Sequence, residues 1–186
     1  VGSEMCIRDS GFIGPKQFAP RINGRQYYKN CYICGDIDFI FGSATAYFEN
    51  CVIESLCHTT NVNDIQGYIT AASTPESQEY GYVFSNCKLI SKDCPPNSVY
   101  LGRPWRNYAK TAFLECALGN HIHECGFHDW KKEDARNTVL YAEYRNYPAS
   151  SADTTSNNRS LNDDIHCIDG RCIPYPHRAE YVCELD

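Results

Sequence analysis

The order of apolar and polar residues along the chain predicts short β-strands rather than helices. Helical periodicity is weak before residue 120, whereas the segments 83–90 and 111–118 are predicted to be strands. A loop is expected around Pro95 and Pro96. Residues 130–136 are compatible with either one helical turn or a charged loop. These features favour an all-β protein.

One short template recurs along the chain: an aromatic residue, any residue, Asn, Cys, any residue and an aliphatic residue. Three copies begin at Tyr28, Phe48 and Phe84, and a weaker copy with Glu in place of Asn begins at Phe113. The cysteines of successive copies are 20, 36 and 29 residues apart. Asn tolerates the left-handed backbone conformation, so a bend at each Asn would allow the flanking apolar side chains to face one interior.

A right-handed parallel β-helix accounts for this repeat, because each coil would stack its aromatic, Asn and Cys positions on those of the next coil. The uneven spacing then reflects loops of different length. A β-sandwich would also contain short strands, but it gives no reason for Asn and Cys to recur at one place. The predicted fold is therefore an all-β, right-handed parallel β-helix.

Composition narrows the possible partners of the protein. The chain has 186 residues, enough for one domain with a sizeable core. Its net charge is −6 and Lys and Arg form no run, which argues against a nucleic-acid partner. An anionic polysaccharide is compatible with this charge, because a local basic groove can lie on an acidic protein. No apolar stretch approaches the roughly 18 residues of a membrane-spanning helix, so no membrane partner is expected.

The chain contains 12 cysteines and 14 tyrosines, and each count has two interpretations. An even number of cysteines is typical of an oxidising compartment, but the cysteines of the repeat can equally serve as small apolar core residues. Cys31 and Cys34 have the spacing of a redox or zinc motif, yet no second pair accompanies them, so no metal site is predicted. Tyrosine suits both sugar rings and packing within sheets.

The segment Gly35–Gly42 carries two carboxylates within an apolar run. If it is a regular strand, its side chains alternate between two faces. Positions 36, 38 and 40 would then lie on one face, and the apolar positions 37, 39 and 41 would face the core. On this pattern Asp36 and Asp38 point outward together, about 6.6 Å apart. The alternative is that one carboxylate caps the neighbouring glycine turn.

A second segment, Tyr100–Trp105, places an arginine between a glycine and a proline and leads into a tryptophan. Gly102 permits close approach of another chain, and Pro104 fixes the backbone. Arg103 is a candidate carboxylate partner, because a guanidinium binds a carboxylate through two parallel hydrogen bonds. Trp105 offers a flat stacking surface. An ordinary turn with a surface arginine is the alternative.

The residues Ile33–Gly42 (ICGDIDFIFG) and Leu101–Trp105 (LGRPW) resemble the two signature segments of the pectin methylesterase family. Three further segments fit the same family in the same order, at 24–28, 66–71 and 141–144. Two long motifs in the right order make the resemblance specific. It implies a parallel β-helix with an open groove.

The resemblance covers residues 11–147, which are expected to form one pectinesterase-like β-helix. Residues 1–10 match nothing in the family and are interpreted as an unmatched or artefactual leader, with N-terminal coils of the helix missing. Residues 148–186 are expected to be a divergent and partly disordered tail, rich in Ser, Asn, Asp and Thr at its start.

The resemblance also implies a mechanism. Asp38 would be the nucleophile that attacks the C6 methyl ester of homogalacturonan, forms an acyl-enzyme and releases methanol, after which water frees galacturonate. Arg103 would hold Asp38 in place and keep it ionised. Trp105 and Phe41 would contact the sugar. The family needs no metal and no organic cofactor, and the protein is expected to be a secreted monomer that acts on pectin.

The resemblance fails at the position of the general acid and base. The family carries a Gln-Asp pair where this chain has Lys16 and Gln17. An amide cannot shuttle a proton at neutral pH, and such help is worth about 10²–10⁴-fold in rate. Gln17 is therefore retained only as a substrate-binding candidate.

Three interpretations of this departure remain. Lys16 or Asp36 supplies the proton, the protein binds pectin without cleaving it, or the start of the chain leaves the site incomplete. An esterase is favoured over a pectin-binding β-helix, because binding alone needs no nucleophile. A lyase or a glycosidase does not match the order of the motifs.

Overall fold

The computed structural model describes residues 25–149 and, outside this range, the backbone of three short strands at 4–6, 165–168 and 171–174. Lys16 and Gln17, the predicted leader apart from 4–6 and most of the predicted tail lie outside the described residues. No helix in the described part of the chain has the length and apolar character needed to cross a membrane.

Three parallel sheets run side by side, and the chain visits them in turn. The first sheet contains, in spatial order, β1 (Glu4–Cys6), β3 (Tyr32–Gly35), β6 (Val52–Ser55), β9 (Lys88–Ile90), β12 (Ala117–Leu118) and β14 (Tyr147–Pro148). The second sheet contains β4 (Ile37–Gly42), β7 (Gly67–Ala72) and β10 (Val99–Gly102). The third contains β2 (Arg25–Lys29), β5 (Thr45–Glu49), β8 (Tyr82–Ser85), β11 (Lys110–Leu114) and β13 (Leu140–Tyr144).

Every strand in these sheets pairs with the equivalent strand of the next coil in parallel register, which confirms the predicted parallel β-helix. Among the described strands, β15 (Ile165–Ile168) and β16 (Arg171–Pro174) form the one antiparallel pair. Residues 130–136 were expected to form either a helical turn or a charged loop. The structure has a turn at 130–131, followed by a 3₁₀ helix at Glu133–Asn137.

A left-handed residue marks the same corner of every coil. Asn30, Asn50 and Asn86 have φ angles of 56°, 53° and 53°, and Glu115 and Arg145 occupy the equivalent corners with 53° and 49°. The predicted bend at the recurring Asn is therefore confirmed. These corners also divide the predicted strands 83–90 and 111–118 into two strands each.

The aromatic residues of the template form one stack through the core. The rings of Tyr28 and Phe48 lie 4.8 Å apart, and those of Phe48 and Phe84, and of Phe84 and Phe113, lie 4.4 Å apart and nearly parallel. Phe48, Phe84 and Phe113 are fully buried. The uneven repeat in the sequence thus produces an even column of rings inside the helix.

The cysteines of the template form a second column beside the rings. Cys51, Cys87 and Cys116 are fully buried, and each thiol lies 3.3–3.5 Å from two backbone carbonyl oxygens. A hydrogen bond with the Cys116 thiol, together with burial, raises the pKa of Cys87 to about 12. The eight cysteines between residues 31 and 125 are free thiols. Those of the column serve as small apolar core residues.

A buried histidine makes the stability of the fold depend on pH. Burial lowers the pKa of His121 from 6.5 to about 4, so the folded chain keeps it neutral where the unfolded chain protonates it. We expect stability to fall as pH decreases through this window, by at most about 3 kcal/mol. Urea unfolding of wild type and His121→Leu at pH 7 and pH 5 measures the effect, and the variant should lose less stability on acidification. Leu89→Ala, at a buried residue that carries no titratable group, is the control and should keep the wild-type pH dependence; equal slopes for wild type and His121→Leu would contradict the assignment.

Candidate active site

The strand that carries the candidate nucleophile is bent at that residue. Asp38 has a φ angle of 52°, in the left-handed region that few residues other than glycine adopt. The pairing of β4 with β7 shifts at the same place: Ile37 lies opposite Tyr68, and Ile40 lies opposite Thr70. Two residues of β4 therefore stand between partners that are separated by one residue in β7. Such a bulge turns a side chain away from the direction that a regular strand would give it.

The predicted alternation of residues 36–42 is therefore wrong. Ile40, expected to face outward, is 1% exposed, and Ile37, expected to face the core, is 36% exposed. Phe39 is buried as predicted, whereas Phe41 is only half-buried. The bulge at Asp38 changes the phase of the strand, so that two consecutive apolar residues, Phe39 and Ile40, both enter the core.

Asp38 and Arg103 form a bidentate ion pair, although 65 residues separate them in the chain. Arg103 Nε donates to Asp38 Oδ1 at 2.9 Å, and Arg103 Nη2 donates to Asp38 Oδ2 at 2.7 Å. Both side chains are about 15% exposed, so the pair lies near the surface but is largely shielded from water. The structure thus brings together the two residues expected to be catalytic, in the fork geometry by which a guanidinium binds a carboxylate.

Backbone hydrogen bonds of the Leu101–Trp105 segment fix the position of the Arg103 backbone. The Arg103 amide donates to the Thr70 carbonyl at 2.9 Å, and the Trp105 amide donates to the Ala72 carbonyl at 3.1 Å, so the motif continues the pairing of β10 with β7. A Cβ atom at Gly102 would lie 2.0 Å from Thr70 Oγ1. Only glycine therefore allows this close approach.

Aromatic side chains pack against Arg103 and against Trp105. Trp105 is 42% exposed, and its ring lies 6.3 Å from that of Phe41 and 5.5 Å from that of Trp130. The guanidinium carbon of Arg103 lies 3.8 Å from the ring centre of Tyr68 and 3.9 Å from that of Trp130. Trp105 and Phe41, the residues expected to contact the sugar, therefore lie close to each other, and their contact with a sugar stays a prediction.

Sequence reasoning missed Tyr68 and Trp130 as members of the site. In the sequence, Tyr68 is part of a segment that fits the family, and Trp130 is the first residue of a charged segment, but neither position indicates a role at the site. Trp130 is one of two tryptophans in the chain. The other, Trp105, was singled out, so the rarity of tryptophan was the one available signal for Trp130.

The second carboxylate of the segment has partners of its own. Asp36 accepts a hydrogen bond from the Ile37 amide at 2.6 Å, and its other oxygen lies 3.1 Å from His58 Nδ1. Partial burial raises the pKa of Asp36, but these hydrogen bonds outweigh it and the pKa is lowered overall. Asp36 is therefore ionised at neutral pH and is a poor proton donor. Within the described residues, no group of His, Cys, Asp and Glu is arranged to hold a metal ion.

The family model and the relatives that match this chain all point to one family. The model of the Pectinesterase family matches residues 21–164. The probable pectinesterase/pectinesterase inhibitor 13 of Arabidopsis thaliana is 42% identical over 141 residues, which are 71% of this chain and 22% of that protein. Pectinesterase 31 of A. thaliana is 37% identical over 168 residues, 88% of this chain and 50% of that protein. The chain thus spans half the length, or less, of these two relatives.

Solved structures share the fold. A pectin methylesterase from Aspergillus niger superposes with a TM-score of 0.58 and 33% identity, over 73% of this chain and 45% of that chain. A pectin methylesterase in complex with a hexasaccharide superposes with a TM-score of 0.57 and 27% identity, over 83% of this chain and 51% of that chain.

Proposed function

Because this chain belongs to the pectinesterase family, we propose that it is a carbohydrate esterase that hydrolyses the C6 methyl esters of pectin homogalacturonan to galacturonate and methanol. The observation that carries the proposal is the bidentate Asp38–Arg103 pair, set beside an aromatic surface. The enzyme is proposed to be secreted, to act as a monomer and to need neither metal nor organic cofactor.

The proposed reaction has two steps with Asp38 as nucleophile. Its carboxylate attacks the ester carbonyl carbon, and collapse of the tetrahedral intermediate expels methoxide, which takes a proton and leaves as methanol. The acyl-enzyme is an anhydride between Asp38 and the galacturonate carboxyl. Water then attacks the galacturonate carboxyl carbon of the anhydride. Its proton returns to the group that protonated the methoxide, and the Asp38 carboxylate is regenerated. Arg103 is proposed to aim the Asp38 carboxylate through its two hydrogen bonds.

Trp105 and Phe41 are proposed to hold the sugar chain. Trp105 presents 42% of its surface to solvent beside the half-buried Phe41, an arrangement that suits the apolar face of a sugar ring. The relative solved with a hexasaccharide supports a saccharide ligand for this fold. Gln17 stays a proposed substrate-binding residue on sequence spacing alone.

Lys16 is the proposed source of the proton, in place of the acidic residue usual in the family. Asp36 is the weaker candidate, because its lowered pKa and its contacts with His58 and Ile37 keep it ionised and engaged. We expect Lys16→Ala to lower kcat by about 10²-fold or more. Asp36→Ala should cost far less, and Lys88→Ala, at an exposed lysine, serves as the control. Full methanol release by the double variant Lys16→Ala/Asp36→Ala would exclude both residues.

The departure at Lys16 and Gln17 also favours a second candidate, a β-helix that binds pectin without cleaving it. The deciding experiment incubates purified protein with highly methylated pectin and measures methanol and new carboxylate groups. Equal amounts of both support the esterase. Unsaturated chain ends would indicate a lyase, and new reducing ends a glycosidase. Retention on immobilised homogalacturonan without methanol release would support the binding protein.

A further inference from the structure

Two consecutive residues near the ion pair adopt a backbone conformation that bulky side chains avoid. Trp130 and Lys131 have φ angles of 53° and 55°. A left-handed tryptophan is a genuine outlier, and such strain persists only where the surrounding structure imposes it. Asp38 is left-handed as well. The strained residues thus lie on both sides of Arg103.

Local hydrogen bonds impose the conformation at Trp130 and Lys131. The Trp130 amide donates to His128 Nδ1 at 2.9 Å, and the Lys131 amide donates to Asp129 Oδ1 at 2.8 Å. The Asp129 side chain is only 2% exposed, and its second oxygen lies 2.8 Å from Arg136 Nη2. The turn is therefore locked from within by a buried carboxylate.

A second contact locks the turn to the motif that carries Arg103. Lys132 Nζ donates to the carbonyl oxygens of Pro104 and Trp105, at 2.9 and 2.7 Å. This lysine reaches across from the turn, so the positions of the Trp130 ring and of the Arg103 backbone are set by one network.

The network places the Trp130 indole against the Arg103 guanidinium, which also lies over the Tyr68 ring. The two ring centres are 3.9 and 3.8 Å from the guanidinium carbon of Arg103. Arg103 needs such support, because it starts beside β10 and must cross β7 to reach Asp38 on β4. A long, flexible side chain has many rotamers, and only those with the guanidinium plane correctly turned give two hydrogen bonds to one carboxylate.

We propose that Trp130 and Tyr68 are positioning residues that clamp the Arg103 guanidinium between two aromatic faces, in the one orientation that aims Nε and Nη2 at Asp38. The strained turn at 130–131 holds the Trp130 ring of this clamp against Arg103. The consequences for catalysis rest on the esterase function proposed above, whereas the clamp itself does not.

The kinetic test compares Trp130→Leu with Trp130→Phe. Loss of the ring should lower kcat about 10- to 100-fold with little change in KM, since misplaced groups slow the chemical step. Trp130→Phe, which keeps an aromatic face, should recover most of the activity. Tyr144→Leu is the matched control, at a tyrosine that lies 5.0 Å from the guanidinium of Arg145.

A spectroscopic test reports on the clamp without any activity. The chain has two tryptophans, so Trp105→Phe leaves Trp130 as the sole indole fluorophore. In this background Arg103→Met should change the emission and the quenching of Trp130, whereas Arg106→Met should not.

The two tests separate failure of the clamp from failure of the esterase. An emission change in the Trp105→Phe background, together with no methanol release by the wild-type protein, would support the clamp and overturn the proposed function. An active enzyme in which folded Trp130→Leu keeps the wild-type kcat would overturn the clamp and leave the esterase standing. Unchanged Trp130 emission in Arg103→Met would also overturn the clamp.

Discussion

Replacement of Asp38 by asparagine is expected to reduce methanol release by about 10⁴-fold or more, the scale seen when a covalent nucleophile is removed. Asparagine is the informative substitution, because it keeps the shape of the side chain and tolerates the left-handed backbone at φ 52°. The loss would therefore report the missing carboxylate rather than a rearranged strand. Initial rates of methanol release at saturating pectin measure it, with circular dichroism to confirm the fold.

Asp36→Asn is the matched control, two residues away in the same segment. Asp36 is engaged by His58 and the Ile37 amide rather than by Arg103, so its amide variant should retain most of the activity. If Asp38→Asn kept a tenth of the wild-type rate while Asp36→Asn lost nearly all activity, Asp36 rather than Asp38 would be the nucleophile.

Phe84→Ala is expected to lower the free energy of unfolding by about 3–5 kcal/mol, the usual cost of truncating a buried phenylalanine. Phe84 is 0% exposed, and rings stack on both of its faces at 4.4 Å. Its removal would leave a cavity between Phe48 and Phe113, which are held by separate coils and cannot close the gap easily. Urea denaturation at pH 7 gives the change directly.

Tyr27→Ala provides the comparison for this loss. Tyr27 lies in the same sheet, but it is 59% exposed and points away from the core, so its truncation should cost less than about 1 kcal/mol. Phe84→Leu should fall between the two. Equal losses for Phe84→Ala and Tyr27→Ala would show that the ring column does not contribute more than the outer surface.

The fold was predictable from the sequence because its defining feature is local. Each coil turns at one residue, and Asn30, Asn50 and Asn86 carry a side chain that favours that turn. The flanking aromatic and cysteine positions then repeat in step. Glu115 shows the limit of this signal. It adopts the same left-handed conformation, although glutamate does not favour it as asparagine does.

The geometry at Asp38 was not predictable from the sequence in the same way. Alternation assumes that each residue of β4 has one partner in β7, and the bulge between Ile37 and Ile40 breaks that assumption. The bulge depends on how the next coil packs, which the segment itself does not encode. The pairing of Asp38 with Arg103 was expected from the family resemblance, since no spacing rule links residues so far apart.

The roles of Tyr68 and Trp130 depend still more on tertiary structure. The Trp130 ring meets Arg103 only because the backbone at Trp130 and Lys131 adopts a conformation that these residue types disfavour. Local propensity therefore points away from the observed geometry. Residues that contradict their own propensity are expected where function, rather than folding, selects the conformation.

The column of left-handed corners separates parts of the chain that tolerate insertions from parts that do not. The connection from the third sheet to the first always turns at one left-handed residue and the position after it, as at 30–31, 50–51 and 86–87. The other two connections vary in length. The connection from the first sheet to the second is residue 36, residues 56–66 or residues 91–98, and the one from the second sheet to the third is residues 43–44, 73–81 or 103–109. Loops grafted at those connections, away from the Arg103–Trp105 motif, would change the surface of the helix while the coils stay in register. Residues added at the left-handed corner would instead shift each later coil and separate Arg103 from Asp38.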